Sequence, residues 1–389
     1  MSGSPGTIVP PKLRAMRRVK RLVRRWKSIL TLCFVLLCVV QPSTSLAKDT
    51  PVHTSWLNQV AVFLQSPLQN TLHSSHREVI PGGQSIGIKL HAKGILVVGY
   101  YLVHQGKTAF SPGERSLIHV GDVILSVNHK DVLSVDEVAK MIDVAGKNNQ
   151  SLQVVIKRKQ SVIPLTLKPA FDDETGLHRI GLYIRDSASG VGTLTFFEPQ
   201  RSSFGALGHV IADVDTGNPI DGRGQIVHAS VTSIDRGESG QPGEKRGLFV
   251  NDHQVLGEIN SNTDFGVFGK MNGAPDHGFT NRLIPVAHPS EVHIGPAQIL
   301  TVVHGQKVES FNVKIIQINH QDHADVKGLV IQVTDPLLIQ KTGGIVQGMS
   351  GSPILEDGKL VGAVTHVFVS NPLQGYGVYA EWMLQHVAK

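Results

Sequence analysis

The sequence predicts a mainly β protein of several parts behind an amino-terminal export or anchor helix, and three observations carry that expectation. Beyond residue 175, short β-branched and apolar runs recur between Gly, Pro and Asn turns, and no 3.6-residue periodicity lasts longer than about two turns. Glycine supplies 40 of the 389 residues, above the usual ~7%, and 20 prolines add further turns. Apolar residues at 41% and charged residues at 17% fit folded domains with cores and exclude a polytopic membrane protein or a disordered chain. At about 150 residues per domain, the length calls for two or three of them.

The amino terminus stands apart in charge. Ten of the 37 Lys and Arg lie in residues 1–48, which hold no Asp or Glu, so the remaining 27 are outnumbered by the 31 acids. The basic character therefore belongs to one short segment, and a nucleic-acid groove is excluded as its explanation. A basic stretch ending at Lys27 leads into Ile29–Val40, twelve residues without charge, and then to Ser45-Leu46-Ala47. Twelve apolar residues suit the core of a signal peptide better than the ~20 of a full membrane span, and a small-residue cleavage site follows. An uncleaved anchor is the alternative. Either way the positive flank stays in the cytoplasm and the chain from about residue 48 is exported.

Cys33 and Cys38 both lie in that apolar run. The exported part thus has no disulfide, no Cys nucleophile and no cysteine-ligated metal. The 19 histidines form no His-Glu-x-x-His motif, and His320 and His323 sit in a polar loop run, so no metal and no cofactor is expected. Walker and dinucleotide fingerprints are also missing.

Residues 48–80 read as a linker. Strands follow at Ser85–Leu90, Gly94–Gly99 and Val120–Asn128, and Ser134-Val-Asp-Glu137 opens a helix as a capping box ahead of Val138, Met141, Ile142 and Ala145. Gly146 closes the helix, and two more strands run at 152–157 and 162–167. Ser85-Ile86-Gly87-Ile88, Ile95–Val98, Val120–Asn128 and that helix resemble a PDZ domain of exported bacterial proteases, over about residues 81–170. The resemblance implies peptide capture by β-augmentation, with the loop at Ser85, Ile86, Gly87 and Ile88 holding a chain terminus.

Residues 175–389 form the second folded part, with strands expected at 193–197, 225–234, 255–259, 308–318, 328–333 and 359–369 in one or two antiparallel barrels or sandwiches. Near its end stands Gly348-Met349-Ser350-Gly351-Ser352-Pro353. Glycines on both sides of a serine permit the tight turn that presents a nucleophilic hydroxyl while the amides of Gly348 and Ser350 converge on an oxyanion. In a cysteine-free β chain this pattern points to a chymotrypsin-like serine protease. The best-placed base is His209, in Phe204-Gly-Ala-Leu-Gly-His209, where small residues leave an imidazole room to reach a hydroxyl. His228, His253 and His277 read as surface residues. For the orienting carboxylate, Asp335 ends an apolar strand before Pro336 and gives the order His, Asp, Ser; it lies only 15 residues before Ser350, so Asp264 and Asp276 compete with it. His366 falls on the strand after the nucleophile, where it either contacts a polar or acidic substrate side chain or is a core histidine sharing a face with Val364 and Phe368.

Phe204–His209, Thr342–Pro353, Gly362–Phe368, Gly375-Tyr-Gly-Val378 and Glu381-Trp382-Met383 resemble the SpoIVB peptidase family of endospore-forming Firmicutes, and the likeness runs through essentially the whole chain. It implies that His209, Asp335 and Ser350 serve as base, orienter and nucleophile. It also implies export into the space between forespore and mother cell, self-cleavage near the amino terminus, and cleavage of SpoIVFA, the inhibitor of a membrane-embedded protease that matures sigma-K. Two rival readings are a PDZ scaffold that regulates by docking and an exported protease that degrades misfolded chains.

Overall fold

The structure is a computed structural model that describes residues 77–250 and 254–387. The export segment at 1–47 and nearly all of the 48–80 linker lie outside the described residues. Among the described residues, no helix is long and apolar enough to cross a membrane.

The first long strand, β1 (Ser85–Tyr100), merges two expected strands. Ile86, Ile88 and Leu90 alternate with smaller or polar residues and point into one core, whereas Ile95 and Val97 point into another. The change of partner falls at Gly94, whose φ of +113° suits only glycine and whose Cβ would lie 2.6 Å from the Ile124 carbonyl oxygen. The far half of β1 pairs with β2 (Val123–Val127), which pairs with β3 (Leu152–Arg158) and through it β4 (Ser161–Leu167). Helix α1 (Val135–Lys147) buries Val138, Ile142 and Ala145 against these strands. As expected, Ser134 accepts a hydrogen bond from the Glu137 amide; the Glu137 carboxylate reaches back one residue further, to the Leu133 amide.

Strand β5 (Leu182–Glu198) then runs back along the whole of β1, from Leu182 beside Tyr100 to Thr193 beside Ser85. Residues 101–181 are thus an insertion between two neighbouring strands. Next come β6 (Ser203–Ala206), β7 (Gly222–Asp235), β8 (Glu244–Phe249), β9 (Val255–Thr263) and β10 (Gly266–Met271). The pairings β1–β5–β6–β10–β9–β7–β1 close a six-stranded antiparallel ring, with β8 on the outer part of β7. Ile86, Ile88, Leu90, Phe204, Ile226 and Ile259 fill it, each contributing ~1.5–3 kcal/mol by leaving water.

This ring corrects two expectations. The first barrel starts at Ser85 rather than at 175, so the segment 81–170 is not a unit to itself. Moreover, Ser85, Ile86, Gly87 and Ile88 cannot be a peptide-holding loop, because both edges of β1 are already paired there: Ile88 faces Gly190 of β5 on one side and Ile226 of β7 on the other.

A second closed barrel orders β11 (Gly295–Thr301), β12 (Glu309–Ile318), β13 (Leu329–Val333), β16 (Asn371–Tyr379), β15 (Lys359–Phe368) and β14 (Pro353–Glu356), the last pairing with β11. Helix α2 (Pro336–Thr342) joins β13 to the loop before β14, and α3 (Ala380–Val387) presses Trp382, Met383 and Leu384 into the core. That core also takes in Phe196 and Phe268 of the first barrel, so one apolar cluster holds both barrels together.

Candidate active site

Leu207 and Gly208, at φ +70° each, turn the chain sharply after β6 and deliver His209 to the seam between the barrels. Gly208 packs there against β15, with its notional Cβ 3.0 Å from Thr365 Cγ2. Ser350 approaches from the other side on the loop between α2 and β14. The glycines that flank it are required by geometry: Gly348 has φ +89°, and Gly351, at φ +93°, sits so close to β5 that a Cβ would lie 2.1 Å from the Thr193 carbonyl oxygen.

Ser350 Oγ donates to the Thr365 carbonyl oxygen at 2.7 Å. On the next residue, the His366 ring lies 5.0 Å from the His209 ring, centroid to centroid. The Ser350 hydroxyl and the His209 ring thus contact successive residues of β15, Thr365 and His366. His209 Nδ1–H donates to the Val210 carbonyl oxygen at 2.8 Å, which leaves Nε2 as the lone-pair nitrogen of a neutral ring. Burial lowers the pKa of His209, and the bond to Val210 only partly opposes it. Burial, then His209 and Lys327, lower that of His366 as well.

Around the serine turn the backbone is fully committed except at two points. The carbonyl of Gln347 accepts from the Lys245 amide at 2.9 Å and that of Met349 from the Ser352 amide at 2.9 Å. Because a trans peptide sets C=O and N–H on opposite sides, these bonds turn the amides of Gly348 and Ser350 outward together. Neither amide donates to any described residue. That is the arrangement an oxyanion requires.

Asp335 is placed elsewhere, which corrects the expectation that it contacts the base. It is the N-cap of α2: its Oδ1 accepts from the amides of Leu337 and Leu338 and its Oδ2 from that of Asn312. Asp264 and Asp276 are exposed, and no carboxylate among the described residues hydrogen-bonds to His209. The core-histidine alternative for His366 also fails, because β15 is bulged between Val364 and Val367; His366 is exposed while Val364 is buried. Ser352, by contrast, is fully buried with its hydroxyl unpartnered.

Sequence reasoning passed over several supports of the site. Asn262 braces the residue after Val210, accepting from the Ile211 amide and donating to the Ile211 carbonyl, both at 2.8 Å. Lys245 lies buried beneath Gly348 with its ammonium nitrogen 2.7 Å from Thr301 Oγ1, and burial lowers its pKa to about 7. Thr193 bonds to both loops. No motif marks them, since each is a single polar residue on an apolar strand or its edge.

The family model described as SpoIVB peptidase S55 matches residues 176–384. No curated protein matches the chain. Among solved structures it is similar to the Rv3671c protease from M. tuberculosis in its active form, at 16% identity over 52% of this chain and 74% of that one, with TM-score 0.29. It is also similar to the PDZ domain of the SdrC-like protein from Listeria monocytogenes, at 17% identity over 24% of this chain and 87% of that one, with TM-score 0.19. The family match spans more than half of the sequence and contains His209, Ser350 and both outward amides. The chain belongs to the SpoIVB peptidase S55 family and is a serine endopeptidase.

Proposed function

We propose that this chain is an exported sporulation endopeptidase in which Ser350 attacks the scissile carbonyl and His209 moves the proton. Three observations carry the reading: the Ser350 hydroxyl lies on the Thr365 carbonyl, the His209 ring lies 5.0 Å from that of the next residue, His366, and the amides of Gly348 and Ser350 have no acceptor among the described residues. Rotation about the Ser350 side chain releases Oγ from Thr365. Its proton passes to His209 Nε2 as Oγ bonds to the carbonyl carbon, and the oxyanion is held by the amides of Gly348 and Ser350. Collapse breaks the peptide bond, with His209 returning the proton to the leaving amine. Water then deacylates the serine by the same route.

Asp335 acts at one remove, by starting α2 and so fixing where the nucleophile loop begins. His366, exposed beside His209, faces the substrate and favours a polar or acidic side chain near the cleaved bond. The PDZ-like role passes to another edge. Among the described residues, 182–187 of β5 pair on one side only, with β1, and an incoming peptide strand adds to the other beside α1.

The substrates are the chain's own amino-terminal region and a SpoIVFA-like inhibitor of an intramembrane protease that processes pro-sigma-K, met in the space between forespore and mother cell. Purified wild type and Ser350→Ala, incubated alone and with the partner's exported domain, test this. Wild type truncates itself and cuts the partner at discrete sites, and Ser350→Ala does neither. Activity in Ser350→Ala would sink the assignment of the nucleophile. Indiscriminate digestion of unfolded protein would move the function to quality control.

A further inference from the structure

Every carbonyl from Gln347 to Gly351 has a fixed donor, and the donors are unequal. Two are amides of Lys245 and Ser352, and the other three bonds come from two threonines of β5. Thr195 Oγ1 donates to the Gly351 carbonyl at 2.8 Å. Thr193 gives two bonds: its Oγ1 to the Gly348 carbonyl at 2.8 Å and its amide to the Ser350 carbonyl at 3.0 Å. Its own carbonyl accepts from the Leu207 amide at 3.2 Å, two residues before His209. It is fully buried.

We propose that Thr193 is a positioning residue of the protease, whose hydroxyl locks the peptide between Gly348 and Met349 so that the two oxyanion-binding amides stay aligned. The inference rests on the assignment of Ser350 as nucleophile. Gly348 is the joint at which this loop turns most easily, since it has no Cβ to restrict it. The 348–349 peptide lies between the two donating amides, so its rotation would swing them out of register. Among the described residues the Thr193 hydroxyl is the one side-chain donor to that peptide, and it comes from the strand whose backbone also holds the turn before the base. Nucleophile loop and base loop are thereby referred to a single buried residue.

The test compares threonines with similar bonds and different consequences. Thr193→Val keeps the shape, removes the hydroxyl and leaves the Gly348 carbonyl unsatisfied; Thr195→Val does the same to Gly351, whose amide binds no oxyanion. Both should lower the melting temperature. On a short peptide, Thr193→Val should lose about 10- to 100-fold in kcat with KM within a few-fold, less than or equal to the loss of a whole oxyanion donor. Thr195→Val should keep kcat within a few-fold, and Thr193→Ser should recover most of the loss. Labelling of Ser350 by a fluorophosphonate, which needs the same amides, should slow in parallel. If Thr193→Val does not fold, Thr193→Ala against Thr193→Ser carries the same comparison. Unchanged kcat and labelling in the folded hydroxyl-less variant, or an equal loss in Thr195→Val, would overturn the proposal. Were Ser350→Ala still active, the fault would lie with the nucleophile assignment instead.

Discussion

In the proposed mechanism His209 acts as the base only while its ring is neutral, and its surroundings keep it so. Burial lowers its pKa below the ordinary value of about 6.5, with no carboxylate among the described residues bonded to it to counteract that. The acid limb of kcat/KM should therefore have its midpoint below that of a free imidazole, and a midpoint above about 7 would require a carboxylate partner that forms on substrate binding. Lys245 makes a second, separate prediction. Its pKa is about 7 in the fold and that of an ordinary lysine, about 10.4, in the unfolded chain. Between these values the unfolded state binds more protons, so stability rises with pH across that window and is lower at neutrality. Lys245→Met should flatten the dependence of the urea midpoint between about pH 7 and 10 and raise it at pH 7. A steep slope surviving the substitution would place the titrating group elsewhere.

Helix α2 decides what Asp335 is for. As an N-cap it is replaceable by Asn, whose Oδ1 still accepts from the Leu337 and Leu338 amides while the bond from the Asn312 amide is lost, but not by Ala, which costs ~1 kcal/mol. Asp335→Asn should thus keep activity within a few-fold while Asp335→Ala is less stable. A loss near 10⁴ for Asn, as an orienting carboxylate would give, would refute the capping role. The cap is visible in the sequence: Asp before Pro before Leu-Leu-Ile is a helix start with Pro at its first position, as readily as it is a strand end. Elements whose signal is local were legible, such as α1 with its Ser134 cap, the strands at 225–234 and 359–369, and the glycines around Ser350. What depends on distant partners was not. Nothing near Ser85 announces that β5 and β7 will occupy both edges of β1, nor does Val364-Thr-His-Val367 reveal the bulge that exposes His366. Thr193 looks like any strand threonine until Gly348, 155 residues away, is placed against it.

At the scale of the molecule, the insertion between β1 and β5 makes part of the chain removable. His91 and Ser187 face each other across the pair, so a two-residue Asn-Gly turn can join them in place of residues 92–186. Arg185 goes with that piece, and its buried partner Asp213 should be changed to Asn. The shortened chain should unfold cooperatively and cleave a short peptide within a few-fold of wild type, while cleavage of a protein partner falls much further. Equal loss on both would make the insertion structural only. Deleting 85–168 instead removes a stave and should leave no folded protease. The same topology also orders events in time. β1 is synthesised long before β5, and pairing them through an unstructured connection carries the loop-closure cost of some 80 to 110 residues. Once the insertion has folded, Tyr100 and Leu182 are already side by side, and the pair can zip from there toward Ser85 and Thr193. The last rungs to form are those that seat Thr193 beneath the loop of Ser350, so the serine turn gains this support only after β1 and β5 are paired along their whole length.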